Sequence, residues 1–398
     1  MVAALSAWGL HAMRRGALDA IPDLSDVQVI IFTEWTGQSP DLIEDQITYP
    51  ITTSLLAAPR VQFVRGQSMF SMSFVYVIFE DGTDVYWARS RVLEYLNGVR
   101  ARLPAGVNPT LGPDATGVGW VYQYALVDDT GGLDLQQLRS LQDFNLRFAL
   151  ESVPGVAEVA SVGGFVKEYQ VLVDPVKLRA YGVTVGEIGE AIAASNQDVG
   201  GQVLEVAGHE QVVRGRGYVR RKEDLETVPL RVSEGGVPVL VRDVAVVQIG
   251  PAPRRGFSEL DGRGEAVGAV VIMRYGENAL QVIRRVKERL EEVKKSLPPG
   301  VRVVPTYDRS ELIEASIDTL RRTLIEEMIV VSLVIFLFLL HVRSALVPIL
   351  TLPVAVLLSF IPMLYQGLTI NIMSLGGIAV AIGAMVDASI ILIENIHK

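Results

Sequence analysis

The last stretch of the chain, Asn371–Lys398, limits most strongly what this sequence can fold into. It is long and apolar enough to span a bilayer, yet it contains two acids, Asp387 near its middle and Glu394 near its end. A charged side chain at the centre of a membrane helix costs at least about 2.5 kcal/mol, and such residues typically mark ion or proton pathways. Two helical turns separate the acids, so they lie within about 20° of each other around the helix axis. The stretch therefore predicts a membrane helix with a proton-carrying face.

The two sides of this predicted helix differ in bulk. Gly376, Val380 and Gly383 share the side of Asp387, and small residues allow a partner helix to approach closely. Ile378, Ile382, Leu392 and Ile393 form the bulkier opposite side. An alternative interpretation is a membrane anchor whose acid forms a structural pair with a Lys or Arg from elsewhere.

Composition and charge exclude several classes of function. The net charge of −9 provides no basic surface for nucleic acid, and no nucleic-acid partner is predicted. The chain has no cysteine, so any soft-metal chemistry must use Met or His. The sequence contains no phosphate-binding GxxxxGK[ST] motif and no Ser/His/Asp constellation, so we expect neither an enzyme nor a resident cofactor.

Apolar runs predict four membrane segments, whereas charges are spread through residues 16–326. The segments are the end of a truncated first helix at 1–15, a second helix with its lead-in at 309–342, a third at 345–365 and a fourth at 371–394. Arg343, His397 and Lys398 fall on one side of the bilayer, which the positive-inside rule assigns to the cytoplasm. The large soluble region is therefore predicted to lie outside the cytoplasm.

A sequence motif is repeated three times in the soluble region. A helix followed by a (L/V)P(x)GV turn and a strand occurs at Leu103–Val107, Val153–Val156 and Leu297–Val301. We interpret this as a duplicated split βαβ unit, ferredoxin-like in class, within an α+β membrane protein. The first unit is predicted at 16–118, the second at 119–164 and 257–308, with an α+β insertion at 165–256.

Several long motifs in this order resemble the resistance-nodulation-division (RND) exporters, in particular the heavy-metal efflux branch and its copper/silver pumps. The residues that carry the resemblance are Asp19–Asp26, Tyr307–Ser310, His341–Leu346, Asn371–Gly377, Ala381–Ala388 and Ile393–Asn395. The resemblance covers the whole chain. It implies the N-terminal half of a proton-driven homotrimeric pump in the bacterial inner membrane. Such a pump has its soluble region in the periplasm and works with a periplasmic adaptor and an outer-membrane channel.

The resemblance also assigns roles to individual residues. It implies that Asp387 carries the proton and that Glu394 assists, with a Lys outside this chain as partner. It matches Met373 and Met385 to two positions of a methionine path for Cu(I) or Ag(I), and it makes the insertion half of a docking domain. From the residues alone, packing is the favoured role of each methionine.

Alternatives to a copper or silver exporter remain open. Leu392 and Pro253 stand where a copper/silver pump would carry methionine, which leaves room for a broader metal exporter. Two further alternatives are a multidrug exporter of organic compounds and a non-transporting scaffold or translocation accessory. Met373, Met385 and the NIMSLGG phrase at 371–377 favour metal.

Overall fold

The computed structural model describes residues 2–232, 235–254, 256–339 and 342–397. Within 320–397 the side chains of a subset of residues, among them Asp387 and Glu394, lie outside the described part. Lys398 and the side chains of Arg343 and His397, on which the orientation prediction rests, also lie outside it. The described chain is mixed α+β, as the sequence predicts.

The helices and strands are numbered in chain order. The described helices are α1 (Val2–Arg15), α2 (Pro40–Ile43), α3 (Tyr49–Leu55), α4 (Val85–Val99), α5 (Leu135–Leu141), α6 (Arg147–Glu151), α7 (Pro175–Tyr181), α8 (Val185–Ser195), α9 (Lys222–Glu226), α10 (Val241–Val244), α11 (Ala279–Lys294), α12 (Arg309–Leu339), α13 (Val342–Tyr365) and α14 (Ile372–His397). The described strands are β1 (Gln28–Glu34), β2 (Val61–Met69), β3 (Met72–Phe79), β4 (Thr110–Leu111), β5 (Trp120–Asp128), β6 (Val156–Gly163), β7 (Lys167–Val173), β8 (Val199–Val206), β9 (His209–Gly215), β10 (Pro229–Val232), β11 (Pro238–Leu240), β12 (Ala245–Pro251), β13 (Val267–Met273) and β14 (Val301–Asp308).

The chain divides into two compact units. The first contains Met1–Thr130, Gln142–Val162 and Val267–Lys398, and the second contains Gly131–Leu141 and Gly163–Ala266. The first unit holds two four-stranded sheets and the long C-terminal helices. The domain boundaries drawn from the sequence remain predictions.

The first sheet has the strand order β2-β3-β1-β4 with antiparallel neighbours, which is the order of a split βαβ unit. On β3, Val75 and Val77 alternate with less buried neighbours and point into the core. Helix α4 covers this sheet, and its buried residues recur at helical spacing: Val85, Ala88, Val92, Leu96 and Val99. Asp84 caps α4 by accepting a hydrogen bond from the Trp87 N–H at 2.7 Å.

The second sheet repeats this order as β14-β5-β13-β6. Its inner strand β13 is buried along its whole length, which fits its uninterrupted apolar sequence. On β5 the buried Tyr124 hydroxyl donates to Gln142 Oε1 at 2.9 Å, so a polar group in the interior is satisfied. Helix α11 begins after Asn278, whose side chain accepts from the Gln281 N–H at 3.1 Å.

The second unit is built around the antiparallel pair β7 and β12 and a core of its own. Val241, Val244 and Val247 are among its most buried residues. A capping box formed by Thr184 and Glu187 starts α8. The hairpin of β8 and β9 is exposed along its whole length.

The C-terminal part of the first unit is helical. Helix α12 follows β14 directly, and a short turn at residues 366–371 separates α13 from α14. Among the residues that the structure describes, no helix is both long enough and apolar enough to cross a membrane.

Candidate functional site in the helix bundle

The start of α14 is fixed by a polar cap. Asn371 Oδ1 accepts hydrogen bonds from the backbone N–H groups of Met373 and Ser374, both at 3.0 Å. In return, the Asn371 N–H donates to Ser374 Oγ at 2.9 Å. Asn371 is buried, and these bonds satisfy N–H groups in the first turn of the helix that have no partner within the helix. The beginning of the predicted relay helix is therefore defined by its own sequence.

One face of α14 packs into an apolar cluster. Leu375, Ile378 and Ile382 are buried there, at the spacing of a single helix face. The cluster is completed by residues from α1, α13 and the turn before α14, namely Ala12, Leu352, Val356, Phe360 and Ile370. Ile378 and Ile382 of the bulky side of α14 thus pack against neighbouring helices, whereas Leu392 of the same side is mostly exposed.

Helices α1 and α13 approach each other closely within this bundle. A Cβ atom added at Gly9 would lie 2.4 Å from the Leu357 carbonyl oxygen, so only glycine fits at this position. Nearby, Trp8 and Tyr365 form an edge-to-face pair with ring centroids 6.0 Å apart. These contacts join the first helix to the C-terminal helices.

The opposite face of α14 is open in the described structure. Val380 is 78% exposed, and a Cβ atom added at Gly376 or Gly383 would meet no atom within 4 Å. A cleft of about 360 Å³ runs between this helix and α12, lined by Ala315, Ser316, Thr319, Thr323, Ile372, Leu375, Gly376 and Ala379. The hydroxyls of Ser316 and Thr319 donate to carbonyls of their own helix at 2.6 and 2.8 Å, so their lone pairs remain available as acceptors in the cleft.

The backbone of α14 carries both predicted relay acids. The helix is continuous over Ile372–His397, so Asp387 and Glu394 occupy positions two turns apart on the side of Gly376 and Val380, within about 20° of one another. Their side chains lie outside the described residues. Their roles therefore remain predictions.

The two predicted metal ligands are not brought together. Met373 and Met385 are separated by twelve positions of α14, which is about 18 Å along the helix axis. Met373 is 68% exposed in the first turn, whereas Met385 packs against the apolar cluster. They can serve a metal path only as separate stations, each with ligands from elsewhere. In the described part of the chain, no group of three or more His, Asp or Glu side chains could hold a metal ion.

Sequence reasoning missed one pair, Asp19 and Arg309. Their side chains are almost fully buried and form an ion pair, with Arg309 Nη1 3.4 Å from Asp19 Oδ1. Burial raises the pKa of Asp19 above its usual value, although the Arg309 guanidinium acts to lower it. A sequence signal did exist, because opposite charges stand just after α1 and at the start of α12. It does not indicate that the two residues meet.

Comparisons with known proteins agree with this architecture. The family model described as AcrB/AcrD/AcrF matches residues 1–398. The cation efflux system protein CusA of Escherichia coli K12 is 58% identical over 394 residues, which is 99% of this chain and 38% of that protein. The cobalt-zinc-cadmium resistance protein CzcA of Cupriavidus metallidurans is 34% identical over 97% of this chain and 37% of its own length.

A solved structure gives the same result for the fold. The crystal structure of a heavy metal efflux pump superposes with a TM-score of 0.88 at 33% identity, covering 99% of this chain and 40% of that one. The chain thus spans about two fifths of the length of the relatives that it matches. The predicted resemblance to heavy-metal exporters is confirmed, and so is the mixed α+β fold. The chain belongs to the AcrB/AcrD/AcrF family, and a CusA-type cation efflux protein is among its relatives.

Proposed function

We propose that this chain is part of a proton-driven exporter of heavy-metal cations, with Cu(I) or Ag(I) as cargo. The observation that carries the proposal is the 58% identity to a cation efflux protein over 99% of the chain. The identity to a cobalt-zinc-cadmium resistance protein is lower, at 34%. The difference favours a copper- or silver-type cargo over harder divalent ions.

The proposed energy source is proton entry through α14. Asp387 takes up a proton from one side of the membrane and releases it to the other, and Glu394 assists two turns further along. Each protonation removes a charge from a low-dielectric site, which changes the relative stability of two helix packings. The open face of small residues around Gly376 and Val380 supports this role, because a further helix carrying a Lys can approach it closely.

The proposed cargo path uses thioether sulfur. Met373 and Met385 are soft donors of the kind that Cu(I) and Ag(I) prefer, and a transport path needs stations weak enough to release the ion. Met373 is accessible at the start of α14. Leu392 and Pro253 cannot ligate such an ion, so the path in this chain has fewer sulfur stations than a fully methionine-lined one.

The proposed setting is the bacterial inner membrane. The apolar sequences of α12, α13 and α14 would form spans with α1, and the two sheets and the second unit would lie in the periplasm. The full-length protein would act as a homotrimer with a periplasmic adaptor and an outer-membrane channel. The fully exposed β8–β9 hairpin supports such an assembly, because it offers a long surface for a partner.

Transport by the full-length parent in proteoliposomes tests this proposal. With an imposed proton gradient, we expect Ag(I) and Cu(I) to be moved much faster than Zn(II), Co(II) or Cd(II). Movement should stop when an ionophore collapses the gradient. Transport of organic dyes without metal transport would favour a multidrug exporter. Transport of neither would favour a scaffold, and either result would refute the proposal.

A further inference from the structure

The segment that follows α1, residues Ala17–Ala20, is joined to α14 by backbone hydrogen bonds. The Ile370 N–H donates to the Ala17 carbonyl at 2.8 Å, and the Asp19 N–H donates to the Ile370 carbonyl at 3.1 Å. The Ile372 N–H, at the first residue of α14, donates to the Ala20 carbonyl at 3.1 Å. A shift of the start of α14 must therefore move this exit segment or break its hydrogen bonds.

The same exit segment also contacts the helix of the second sheet. The Ala279 N–H, at the first residue of α11, donates to the Leu18 carbonyl at 3.1 Å. The side-chain amide of Asn278 donates at 3.4 Å to the carbonyl of Gly16, the residue just before the exit segment. Hydrogen bonds therefore join the exit segment to the starts of both α14 and α11.

Arg309 links the exit segment to the second sheet and to α12. Its Nη1 donates to the Val118 carbonyl and contacts Asp19 Oδ1 at 3.4 Å, while its Nη2 donates to the Trp120 carbonyl at 2.8 Å. Its Nε donates to the Tyr307 hydroxyl at 3.4 Å. Because the guanidinium is planar and rigid, it fixes these groups in one geometry, and a Lys could not hold all of them. Arg309 is 5% exposed, so water does not compete for these contacts.

A buried ion pair such as this one is weak evidence for a role in stability, because the loss of hydration of both charges offsets much of their attraction. Burial raises the pKa of Asp19 above its usual value. Asp23, four residues along, raises this pKa further, and the Arg309 guanidinium offsets these effects only in part. A buried ion pair with a perturbed pKa, placed between three elements of the fold, is a candidate for a functional role.

We infer that Asp19 and Arg309 are positioning residues that form a coupling joint, through which movement of α14 reaches the second sheet. This inference rests on the proposed function, because it supplies the connection between proton entry at α14 and cargo movement at the sheets. The joint consists of the exit segment and Arg309, and its hydrogen bonds connect α14, α11, α12 and β5 beside the apolar cluster to which Ile370 belongs. The ion pair is its one charged contact, and Asp19→Asn removes the charge with little change of shape.

The test uses the full-length parent in proteoliposomes with a proton gradient and Ag(I) as cargo. For Asp19→Asn, we expect Ag(I) export at saturation to fall about tenfold with KM unchanged, while proton entry continues, so that more protons enter per ion exported. Arg309 keeps its carbonyl partners Val118 and Trp120 in this variant, so the protein should still fold, and its melting temperature at pH 7 checks this. Arg309→Lys should show a smaller fall in Ag(I) export, because it retains a cation but loses the planar group of N–H donors.

Arg302→Gln is the matched control. Arg302 pairs with Asp129 on the same sheet, but both side chains are about half exposed, and their hydrogen bonds do not involve the exit segment. This variant should export Ag(I) at the rate of the parent. An Asp19→Asn protein that exports like the parent, or one whose proton entry and export fall in equal proportion, would overturn the inference. A parent that exports no metal at all would instead refute the proposed function.

Discussion

In the core of the first sheet, Ile31, Ile47 and Val75 are fully buried, whereas in the helix bundle Met373 and Val380 on α14 are mostly exposed. The sheet closes its core with its own helices, α3 and α4 among them. The bundle closes only the face of α14 that carries Ile378 and Ile382. Residues of the sheet core therefore act mainly in stability, and the unclosed face of α14 is available for another role. The relay acids that the sequence predicts are placed on that unclosed side.

Shortening one side chain to alanine in each region tests this contrast and has the largest expected effect on the free energy of unfolding. Ile47→Ala removes a fully buried side chain and should lower the free energy of unfolding by about 2–5 kcal/mol. Val380→Ala removes a mostly exposed side chain and should change it by less than about 0.5 kcal/mol. Denaturant unfolding of the purified chain in detergent measures both. Equal losses of unfolding free energy in the two variants would show that both side chains are equally well packed.

Substitutions of two helix glycines test the comparison with an expected change in unfolding free energy of intermediate size. Gly9→Ala places a Cβ atom 2.4 Å from the Leu357 carbonyl oxygen, so α1 must move away from α13 at a cost of about 1–3 kcal/mol. Gly98→Ala in α4 meets no atom within 4 Å and should stabilise by up to about 1 kcal/mol, because alanine favours helix. Thermal unfolding should shift in opposite directions for the two variants. A shift in the same direction would contradict the close helix approach.

The smallest expected effect depends on pH and concerns the start of α12. Burial acts to raise the pKa of Asp308, but hydrogen bonds from Lys287 and Ser310 lower it below its usual value. Asp308 therefore stabilises the fold above about pH 3.9, and this contribution is lost as the pH falls through the lowered pKa. Asp308→Asn should cost about 1 kcal/mol at pH 7, with a smaller difference at pH 3.

The control for this pH dependence is Glu311→Gln, which changes a nearby acid for which no side-chain hydrogen bond is described. Its unfolding free energy should follow that of the parent at both pH values. A difference between Asp308→Asn and the parent that grows on acidification would reverse the sign of the predicted linkage.

Local patterns were enough to predict much of the fold. Ser39 and Pro40 occupy the cap and the first turn of α2, as their types indicate. The glycines of the three repeated turn phrases, Gly106, Gly155 and Gly300, have φ values of 83°, 93° and 90°, which glycine adopts without strain. Each of these features depends on a few neighbouring residues, and such features can be recognised in sequence.

Other features depend on contacts between distant segments. A π-helical turn at Gln142–Leu146 separates α5 from α6, and no local sequence signal marks it. Asp19 and Arg309 are 290 positions apart, and the two motifs that contain them do not indicate that they pair. The separation of Met373 from Met385 follows from helix rise and could have been predicted, but their different surroundings depend on how α14 packs. Burial and partners across the fold could not be deduced from periodicity alone.

The most direct test of the central claim compares Asp387→Asn with Asp318→Asn, an exposed acid on α12, in the full-length parent. Both proteins would be reconstituted at equal density, and proton-driven Ag(I) movement would be recorded. We predict that Asp318→Asn moves Ag(I) at the parental rate, whereas Asp387→Asn inserts normally and moves none. Ag(I) movement by Asp387→Asn at the parental rate would contradict the proposal that α14 carries the driving proton.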